Sequence, residues 1–259
     1  MTEVAAPEHA EPALRLRGVG RRFGGLHAVR DVDLEVAPGE RRAILGPNGA
    51  GKTTLFNVIA GDFPATAGHV ELFGRDVTRL PARTRAKLGL ARTYQQSRLF
   101  GGLTVEDNIY LSVLGVEGGH LRPVVTKRDE AYRERAREAA RRVAIDHRLG
   151  VRLGELSHGE HRQVALAVAL AAAPRVMMLD EPASGLSRGE RQLLTDLLLG
   201  LDREITLVVI EHDMDVALRV AERVTMMHDG RVIVEGTPDE IRANDLVHDL
   251  YLGRGFRHE

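Results

Sequence analysis

Cysteine and tryptophan are both absent from the 259 residues of this chain, and aromatic residues make up only 4% of it. Because there is no cysteine, disulfide bonds and thiolate metal sites are excluded, which fits a reducing compartment. Long hydrophobic runs are missing too. The longest candidate, from Val164 to Ala173, ends at Pro174 and is much shorter than the ~20 apolar residues that cross a bilayer. We therefore expect that the chain does not span a membrane by itself.

An excess of charge of either sign is also lacking, since the formal net charge is -1. Proteins that bind nucleic acid carry basic patches that neutralise phosphates, so this balance indicates that no nucleic acid is bound. Residues 1–12 contain Glu and Pro where a signal peptide has a basic start and an apolar run, and we expect a disordered tail there. Only three lysines occur among the 36 Lys and Arg residues, so a lysine within a motif is notable.

The remaining composition, 43% hydrophobic and 28% charged, is that of a globular protein. The length predicts one domain with sub-lobes. Short apolar strands alternate with helical segments, which indicates an α/β sheet with crossover helices. Strands are predicted at 14–16, 32–36, 43–45, 70–73, 176–179, 206–210, 224–227 and 232–235. Helices are predicted at 52–60, 159–173, 188–199 and 214–221. A helical stretch at about 104–148, with a charged exposed face at 132–142, predicts a separate helical lobe.

The segment GPNGAGKTT matches the phosphate-loop pattern G-x-x-x-x-G-K-[ST], between a predicted strand and a predicted helix as that motif requires. Its residues are Gly46, Pro47, Asn48, Gly49, Ala50, Gly51, Lys52, Thr53 and Thr54. Glycines let backbone N–H groups turn toward phosphate oxygens, and the helix N-terminus adds a positive dipole end. We expect Lys52 to reach the β and γ phosphates of ATP and the Thr53 hydroxyl to ligate Mg²⁺.

Two acidic residues follow the predicted strand 176–179. Asp180 is expected to hold the magnesium through water, and Glu181 is expected to polarise the attacking water. An acidic pair after an apolar strand has a structural role about as often as a catalytic one. The phosphate loop upstream favours the catalytic interpretation.

The segment LSHGE at 156–160 resembles the signature segment of ATP-binding cassette proteins, usually written LSGGQ. The resemblance implies that Ser157, His158, Gly159 and Glu160 lie at a helix start and contact the nucleotide bound by a second subunit. Two residues depart from the common pattern: His158 replaces a glycine and Glu160 replaces a glutamine. A carboxylate near phosphates is electrostatically unfavourable, so the role of Glu160 is open.

Other positions take their roles from the same resemblance. Phe23 is similar to the aromatic residue that stacks on adenine, and His212 to the switch histidine that contacts the γ-phosphate. Gln95 resembles the glutamine that contacts magnesium and water and relays the nucleotide state to a membrane partner. Residues 184–187 resemble the loop that crosses the dimer interface, with Ser187 where many relatives have Asp. An isolated Phe or His in such places is more often a core or capping residue.

The resemblance covers about residues 14–253 and implies an α/β fold, a P-loop NTPase (RecA-like) core sheet with a small antiparallel β lobe and an inserted helical subdomain. The expected bounds are a tail at 1–12, a single ABC ATPase domain at 13–253 and a tail at 254–259. Within that domain we expect the core and β lobe at 13–94 and 165–235, the helical signature subdomain at 95–164 and a C-terminal cap at 236–253.

Several segments are similar to ATPases of bacterial branched-chain amino acid and amide importers. They are 92–95, 98–100, 103–108, 211–214, 236–238 and 251–253, and segments 157–159 and 227–228 resemble the urea-type members. The resemblance implies ATP hydrolysis that powers import, by a peripheral subunit at the cytoplasmic face of the inner membrane.

The implied partners are a second ABC ATPase subunit, identical or paralogous, integral membrane permease subunits and, indirectly, a solute-binding protein. We expect the permease to dock around Gln95 to Phe100, where Leu99 and Phe100 are predicted to be exposed. Two alternatives are the ATPase of a lipopolysaccharide-type exporter and a soluble cassette ATPase without a transport role. The single set of motifs, without a heptad block or basic arm, disfavours the soluble class.

Overall fold

The computed structural model describes residues 11–94, 99–118 and 127–247. The strands are β1 (Leu14–Phe23), β2 (Leu26–Val36), β3 (Arg41–Leu45), β4 (Ala67–Leu72), β5 (Arg75–Asp76), β6 (Leu90–Arg92), β7 (Val176–Asp180), β8 (Thr206–Ile210), β9 (Arg223–His228) and β10 (Arg231–Gly236). The helices are α1 (Lys52–Ala60), α2 (Ala82–Lys87), α3 (Val105–Val116), α4 (Lys127–Arg142), α5 (His158–Ala171), α6 (Arg188–Leu199), α7 (Met214–Val220) and α8 (Pro238–Arg242). Short 3₁₀ helices lie at Asp146–Arg148 and Leu153–Glu155.

Six strands form the central sheet in the order β10-β9-β3-β8-β7-β6. All neighbouring pairs are parallel except β10 with β9, which is antiparallel. Alternate residues of β7 and β8 belong to two different hydrophobic clusters, because successive side chains of a strand point to opposite faces. The segments that follow β3, β7 and β8 meet at the carboxyl edge of this sheet, where ligands bind in open α/β sheets.

A second sheet is antiparallel, with the strand order β2-β1-β4-β5. Leu14, Leu16 and Val19 of β1 are buried in the same cluster as Phe56 and Ile59 of α1. This lobe therefore packs over the helix that follows the phosphate loop and brings the β1–β2 hairpin close to it.

The helices α3, α4 and α5 pack together in a second hydrophobic cluster. Ile109 of α3, Ala136 of α4 and Ala167 of α5 are fully buried in one cluster. The opposite face of α4 is charged, with Arg141 pairing with Glu134 and Glu138. This arrangement confirms the predicted exposed charged face of the helix.

Three predicted elements have the predicted bounds, namely α1, α6 and β8. The elements β5, α2, β6 and α8 were not predicted. Helix α2 lacks an apolar period because its buried residue is Arg85, whose guanidinium donates to the carbonyl oxygens of Val58 and Ile59. Within the described residues no helix is both long and apolar enough to cross a bilayer.

Candidate functional site

The phosphate loop closes tightly between β3 and α1. Gly46, Gly49 and Gly51 have positive φ angles of 154°, 82° and 98°. A Cβ atom on Gly46 would lie 2.2 Å from the carbonyl oxygen of Met227, and one on Gly51 would lie 2.4 Å from that of Ala28. Only glycine fits such an approach of backbone to backbone. Since Gly51 is the N-cap of α1 and has no side chain, the first N–H groups of the helix can bind an anion instead.

Lys52 opens α1 and is only 5% exposed. Its Nζ atom donates to the carbonyl oxygens of Gly46 at 2.6 Å and Pro47 at 3.1 Å. Burial lowers the pKa of Lys52, and the carboxylates of Glu181 and Asp180 oppose that shift. The ammonium group thus points into the concave side of its own loop, where it can bind phosphate as a point charge.

A cavity of about 370 Å³ opens over the loop. Its walls come from the phosphate loop, from the start of β2, from the β9–β10 turn and from Glu181. The lining residues are Leu26, His27, Ala28, Arg30, Asn48, Gly49, Ala50, Gly51, Lys52, Thr53, Thr54, Glu181, Asp229 and Gly230. The structure therefore brings Glu181 together with the loop, as the sequence predicts.

Asp180 ends β7 and is 3% exposed. Its Oδ2 atom accepts a hydrogen bond from Nη2 of Arg92 at 2.9 Å. Its Oδ1 atom is buried and has no hydrogen-bond partner among the residues that the structure describes. Arg92 also donates to Asn57 Oδ1 at 2.6 Å and to Asp62 Oδ2 at 2.9 Å, which ties β6 to α1 and the turn after it. The sequence singled out Arg92 only as part of a family pattern and did not predict this contact.

Glu181 follows Asp180 with a φ angle of 48°. A residue other than glycine seldom adopts this conformation, and such strained residues cluster at functional sites. The N–H group of Glu181 donates to the carbonyl oxygen of Ile210 at 2.9 Å. Oε2 of Glu181 lies 4.0 Å from Nδ1 of His212, whose side chain is half exposed. The two predicted catalytic residues are therefore adjacent, beyond the ends of neighbouring strands.

Phe23 lies at the β1–β2 hairpin and is 40% exposed, but it does not line the cavity described above. Its ring meets Phe63 edge to face at a centroid distance of 5.6 Å, and the Arg21 guanidinium lies 4.4 Å from its centroid. Leu26, its cross-strand partner, is 65% exposed and does line the cavity. The hairpin thus places Phe23 beside the cavity and Leu26 in its wall.

The predicted signature segment forms the start of α5. Ser157 is the N-cap: its hydroxyl oxygen accepts from the Glu160 N–H group, and its own N–H donates to Glu160 Oε2 at 2.8 Å. Arg148 donates to Oε1 of the same carboxylate at 2.8 Å. The pKa of Glu160 is lowered, chiefly by the Ser157 N–H hydrogen bond and further by Arg148. The carboxylate of Glu160 therefore closes a capping box and pairs with Arg148. This pairing reduces the repulsion expected between the carboxylate and a nearby phosphate.

His158 contacts the predicted interface loop of the same chain, and Gly159 lies against Glu190 of α6. Nε2 of His158 lies 3.4 Å from the carbonyl oxygen of Ser184. A Cβ atom on Gly159 would lie 2.3 Å from Oε1 of Glu190, so no side chain fits there without a shift. Ser187 caps α6 and forms a second capping box with Glu190.

Within this single chain the two halves of the predicted site are separate. Ser157, Gly159 and Glu160 line a different cavity of about 420 Å³, floored by leucines of α6. No residue of the phosphate loop borders it among the lining residues. Gln95 lies outside the described residues, so its predicted contact with magnesium stays a prediction.

Two protein-family models match the sequence of this chain. A family model described as "ABC transporter" matches residues 29–184. A second, described as "Branched-chain amino acid ATP-binding cassette transporter", matches residues 231–257. The chain is 34% identical to the high-affinity branched-chain amino acid transport ATP-binding protein LivG of Escherichia coli strain K12. That match extends over 252 residues, 94% of this chain and 99% of LivG.

Solved structures agree with the family match. The crystal structure of the ADP conformation of MJ1267, an ATP-binding cassette of an ABC transporter, superposes with a TM-score of 0.83 at 27% identity, over 94% of this chain and 99% of that one. The dimeric structure of a post-hydrolysis state of the cassette MJ0796, bound to ADP and Pi, superposes with a TM-score of 0.75 at 27% identity, over 87% and 98%. The α/β fold predicted from the sequence is confirmed.

Proposed function

Because the chain belongs to the ABC transporter family and is a nucleotide-binding ATPase of that family, we propose that it powers the import of branched-chain amino acids, related amides or urea. One observation carries the catalytic part: the phosphate loop, Lys52 and Glu181 border a single cavity at the carboxyl edge of the sheet. This is where a triphosphate and an attacking water would meet.

The transported class is inferred from the C-terminal match at 231–257 and from the similarity to LivG, whose name assigns it to branched-chain amino acid transport. The cavity is lined by the phosphate loop and its neighbours, so its residues indicate nucleotide binding and do not identify the solute. The choice among amino acids, amides and urea therefore depends on the permease and on a solute-binding protein.

A magnesium ion fits the residues beside the cavity. Thr53 lines the cavity, and the buried Oδ1 of Asp180 is without a hydrogen-bond partner among the described residues. No three His, Asp or Glu side chains form a metal cluster in the described part of the chain. Magnesium does not need one, because it is usually held by one or two carboxylates, waters and substrate phosphates. We infer that Thr53, Asp180 and Gln95 hold the ion, which when bound would neutralise charge on the phosphates.

The protein side of the reaction is mostly positioning and charge stabilisation. Backbone N–H groups of the loop and the Lys52 ammonium hold the β and γ phosphates. Glu181 accepts a proton from the attacking water, and His212, 4.0 Å away, orients the γ-phosphate and the carboxylate. Phe23 at the rim stacks on the adenine.

The separation of the two half-sites within one chain supports a dimeric active form. ABC ATPases act as dimers with membrane permeases, and the cassette MJ0796 has been solved as a dimer. We propose that two ATP molecules are clamped between head-to-tail subunits, each by one phosphate loop and by Ser157, His158 and Gly159 of the other. The second subunit is an identical or a paralogous cassette.

The surface near the end of β6 has features that support the docking of a permease there. A groove of about 290 Å³ beside Tyr94 is lined by six alanines, so a helix could approach its floor closely. Phe100, which belongs to the predicted docking segment, is 59% exposed. The expectation that Leu99 is exposed was wrong, because Leu99 is partly buried against the helical core. We propose that integral permease subunits dock here, which would hold the chain at the cytoplasmic face of the inner membrane.

Purification from native membranes tests the transporter role. We expect an integral permease to accompany the tagged chain, together with ATPase activity that rises when the cognate solute-binding protein is loaded. A binding screen of that solute-binding protein with branched-chain amino acids, amides and urea would then identify the cargo. Recovery of an active ATPase with no membrane partner would contradict the proposal.

A further inference from the structure

Glu211 is a fully buried carboxylate for which the proposed mechanism has no use. It follows β8 directly and is 0% exposed. In the sequence, Glu211 stands out only as part of segment 211–214. An ionisable side chain is seldom buried in this way unless its hydrogen bonds are satisfied.

Both oxygens of Glu211 accept hydrogen bonds from backbone N–H groups. Oε1 accepts from Ala183 at 2.8 Å, and Oε2 accepts from His212 at 3.2 Å. A third N–H, that of Asp213, also favours the ionised form. Every one of these donors belongs to a loop at the carboxyl edge of the sheet and none to a regular strand.

These donors flank the two predicted catalytic residues. Ala183 lies two positions after Glu181, and His212 carries the imidazole itself. The strands that deliver the two loops are already in register, since Asp180 pairs with Ile210. Beyond the ends of those strands, the Glu211 carboxylate is a shared anchor that joins the loop of Glu181 to the loop of His212.

The surroundings of Glu211 leave it little freedom. Burial raises the pKa of Glu211, while the N–H groups and the imidazole of His212 oppose that rise. Arg162 of α5 lies close enough for its charge to interact with Glu211 and Glu181, and it donates to the carbonyl oxygen of Ser184 at 3.5 Å. A bidentate acceptor enclosed in this way has one orientation, as positioning groups require.

We propose that Glu211 is a positioning residue that sets the distance between Glu181 and His212. The inference rests on the catalytic roles proposed above for those two residues. Without the shared anchor, the loop of Glu181 would keep its backbone hydrogen bond to Ile210 but would lose the link through Ala183, so the 4.0 Å separation of Oε2 and Nδ1 would be held less firmly. A misplacement of about 1 Å at a reacting group can cost on the order of 100-fold in rate.

The test uses Glu211→Gln, which keeps the shape but faces one backbone N–H with an amide NH₂ group. We expect kcat to fall about 10- to 100-fold, with the KM for ATP and the binding of ATP unchanged within about twofold. Exposed Glu204 lies just before β8, so Glu204→Gln is the matched control and should behave as wild type. Glu211→Asp retains the charge and provides a second variant should the Gln protein not fold.

A double substitution separates positioning from general loss of structure. In single-turnover assays, adding Glu211→Gln to Glu181→Gln should cost little further rate, because the group being positioned is already gone. Equal losses in the two backgrounds, or a loss of ATP binding that parallels the loss of kcat, would overturn the inference. Failure of the proposed function would look different, since wild type and the Glu204→Gln control would then also lack turnover.

Discussion

Nδ1 of His212 lies 4.0 Å from Oε2 of Glu181, although the two residues are 31 positions apart and follow different strands. The contact joins the end of β7 to the end of β8, and Glu181 also lines the cavity over the phosphate loop. In the proposed mechanism the carboxylate takes a proton from water and the imidazole contacts the phosphate, so the two groups must lie near the same reacting atoms. We therefore propose that the γ-phosphate sits beside this pair.

Substitution of Glu181 by glutamine tests the base directly. The amide cannot accept the proton of the attacking water, so we expect kcat to fall about 10²- to 10⁴-fold while ATP still binds. Trapped ATP should shift the protein from monomer to dimer in size-exclusion chromatography. Glu138→Gln on the exposed face of α4 is the control. Full turnover in Glu181→Gln would mean that another group activates the water.

Substitution of Ser157 by arginine tests the role across the interface. A bulky side chain at the N-cap of α5 should block closure onto a second subunit, yet Ser157 does not line the nucleotide cavity of its own chain. In the Glu181→Gln background we therefore expect ATP to bind the monomer with unchanged affinity and no ATP-dependent dimer. Ser112→Arg, on α3, would be an unsuitable control, because it would remove the hydrogen bond that the Ser112 hydroxyl donates to the carbonyl oxygen of Val168. Exposed Gly189→Arg, at the start of α6, tests whether any added charge near this surface has the same effect.

Substitution of Arg92 by glutamine tests the buried pair with Asp180. Both side chains are less than a tenth exposed, so removing the cation leaves a buried carboxylate unpaired. We expect a loss of about 3–5 kcal/mol in the free energy of unfolding. Magnesium with ATP should raise the Tm of the variant by more than that of wild type, since the ion would replace the missing charge. Arg92→Lys should lose less of the free energy of unfolding than Arg92→Gln. If magnesium with ATP raised the Tm of wild type and of both variants equally, that result would argue against an ion at Asp180.

Substitution of Phe100 by glutamate tests permease docking. A charge on an exposed apolar residue should leave the fold and the basal ATPase activity unchanged, but it should weaken association with the permease. Co-purification from membranes and solute-stimulated ATPase activity measure the effect. Leu246→Glu is the matched control, because Leu246 is 49% exposed far along the chain at the C-terminal side of α8. Unchanged assembly in Phe100→Glu would place the docking surface elsewhere.

The capping box of α5 predicts a dependence on pH. The folded-state pKa of Glu160 is lowered from 4.5, chiefly by the Ser157 N–H hydrogen bond. A lowered pKa means that the ionised form stabilises the fold above pH 4.5 and that this stabilisation is lost as pH falls through the folded-state value. Glu160→Gln should therefore be less stable than wild type near pH 7, with the difference in Tm vanishing in acid. A difference that is independent of pH would show that the carboxylate charge contributes nothing.

The parts of the site that lie in one short segment could be predicted from the sequence. The loop at 46–54 is recognisable because its glycines, Lys52 and Thr53 must stand at fixed spacing to hold a phosphate. Its helix begins and ends at the predicted residues. Glu181 was placed correctly beside the loop because it follows a strand that is buried on both faces, and such a strand ends at the ligand-binding edge.

Contacts between distant segments could not be predicted. The pairing of Arg92 with Asp180 depends on β6 lying next to β7, and nothing in a three-residue strand predicts that neighbour. The burial of Arg85 and the packing of Leu99 could not be predicted either, because both depend on carbonyl groups or side chains from other elements. Glu160 is a further example. From the local sequence its carboxylate was expected to be unfavourable near a phosphate, but Arg148, which lies outside the helix, donates a hydrogen bond to it.

By itself, the sequence determined the local chemistry of this protein: the phosphate-binding turn, the acidic pair after a buried strand and the cap of the signature helix. Each depends on residues within a few positions, whose spacing is set by backbone geometry. Only the tertiary structure decided which groups meet across the sheet edge, and above all that Glu211 anchors both catalytic loops. Such meetings follow from strand order and packing, which no single segment encodes.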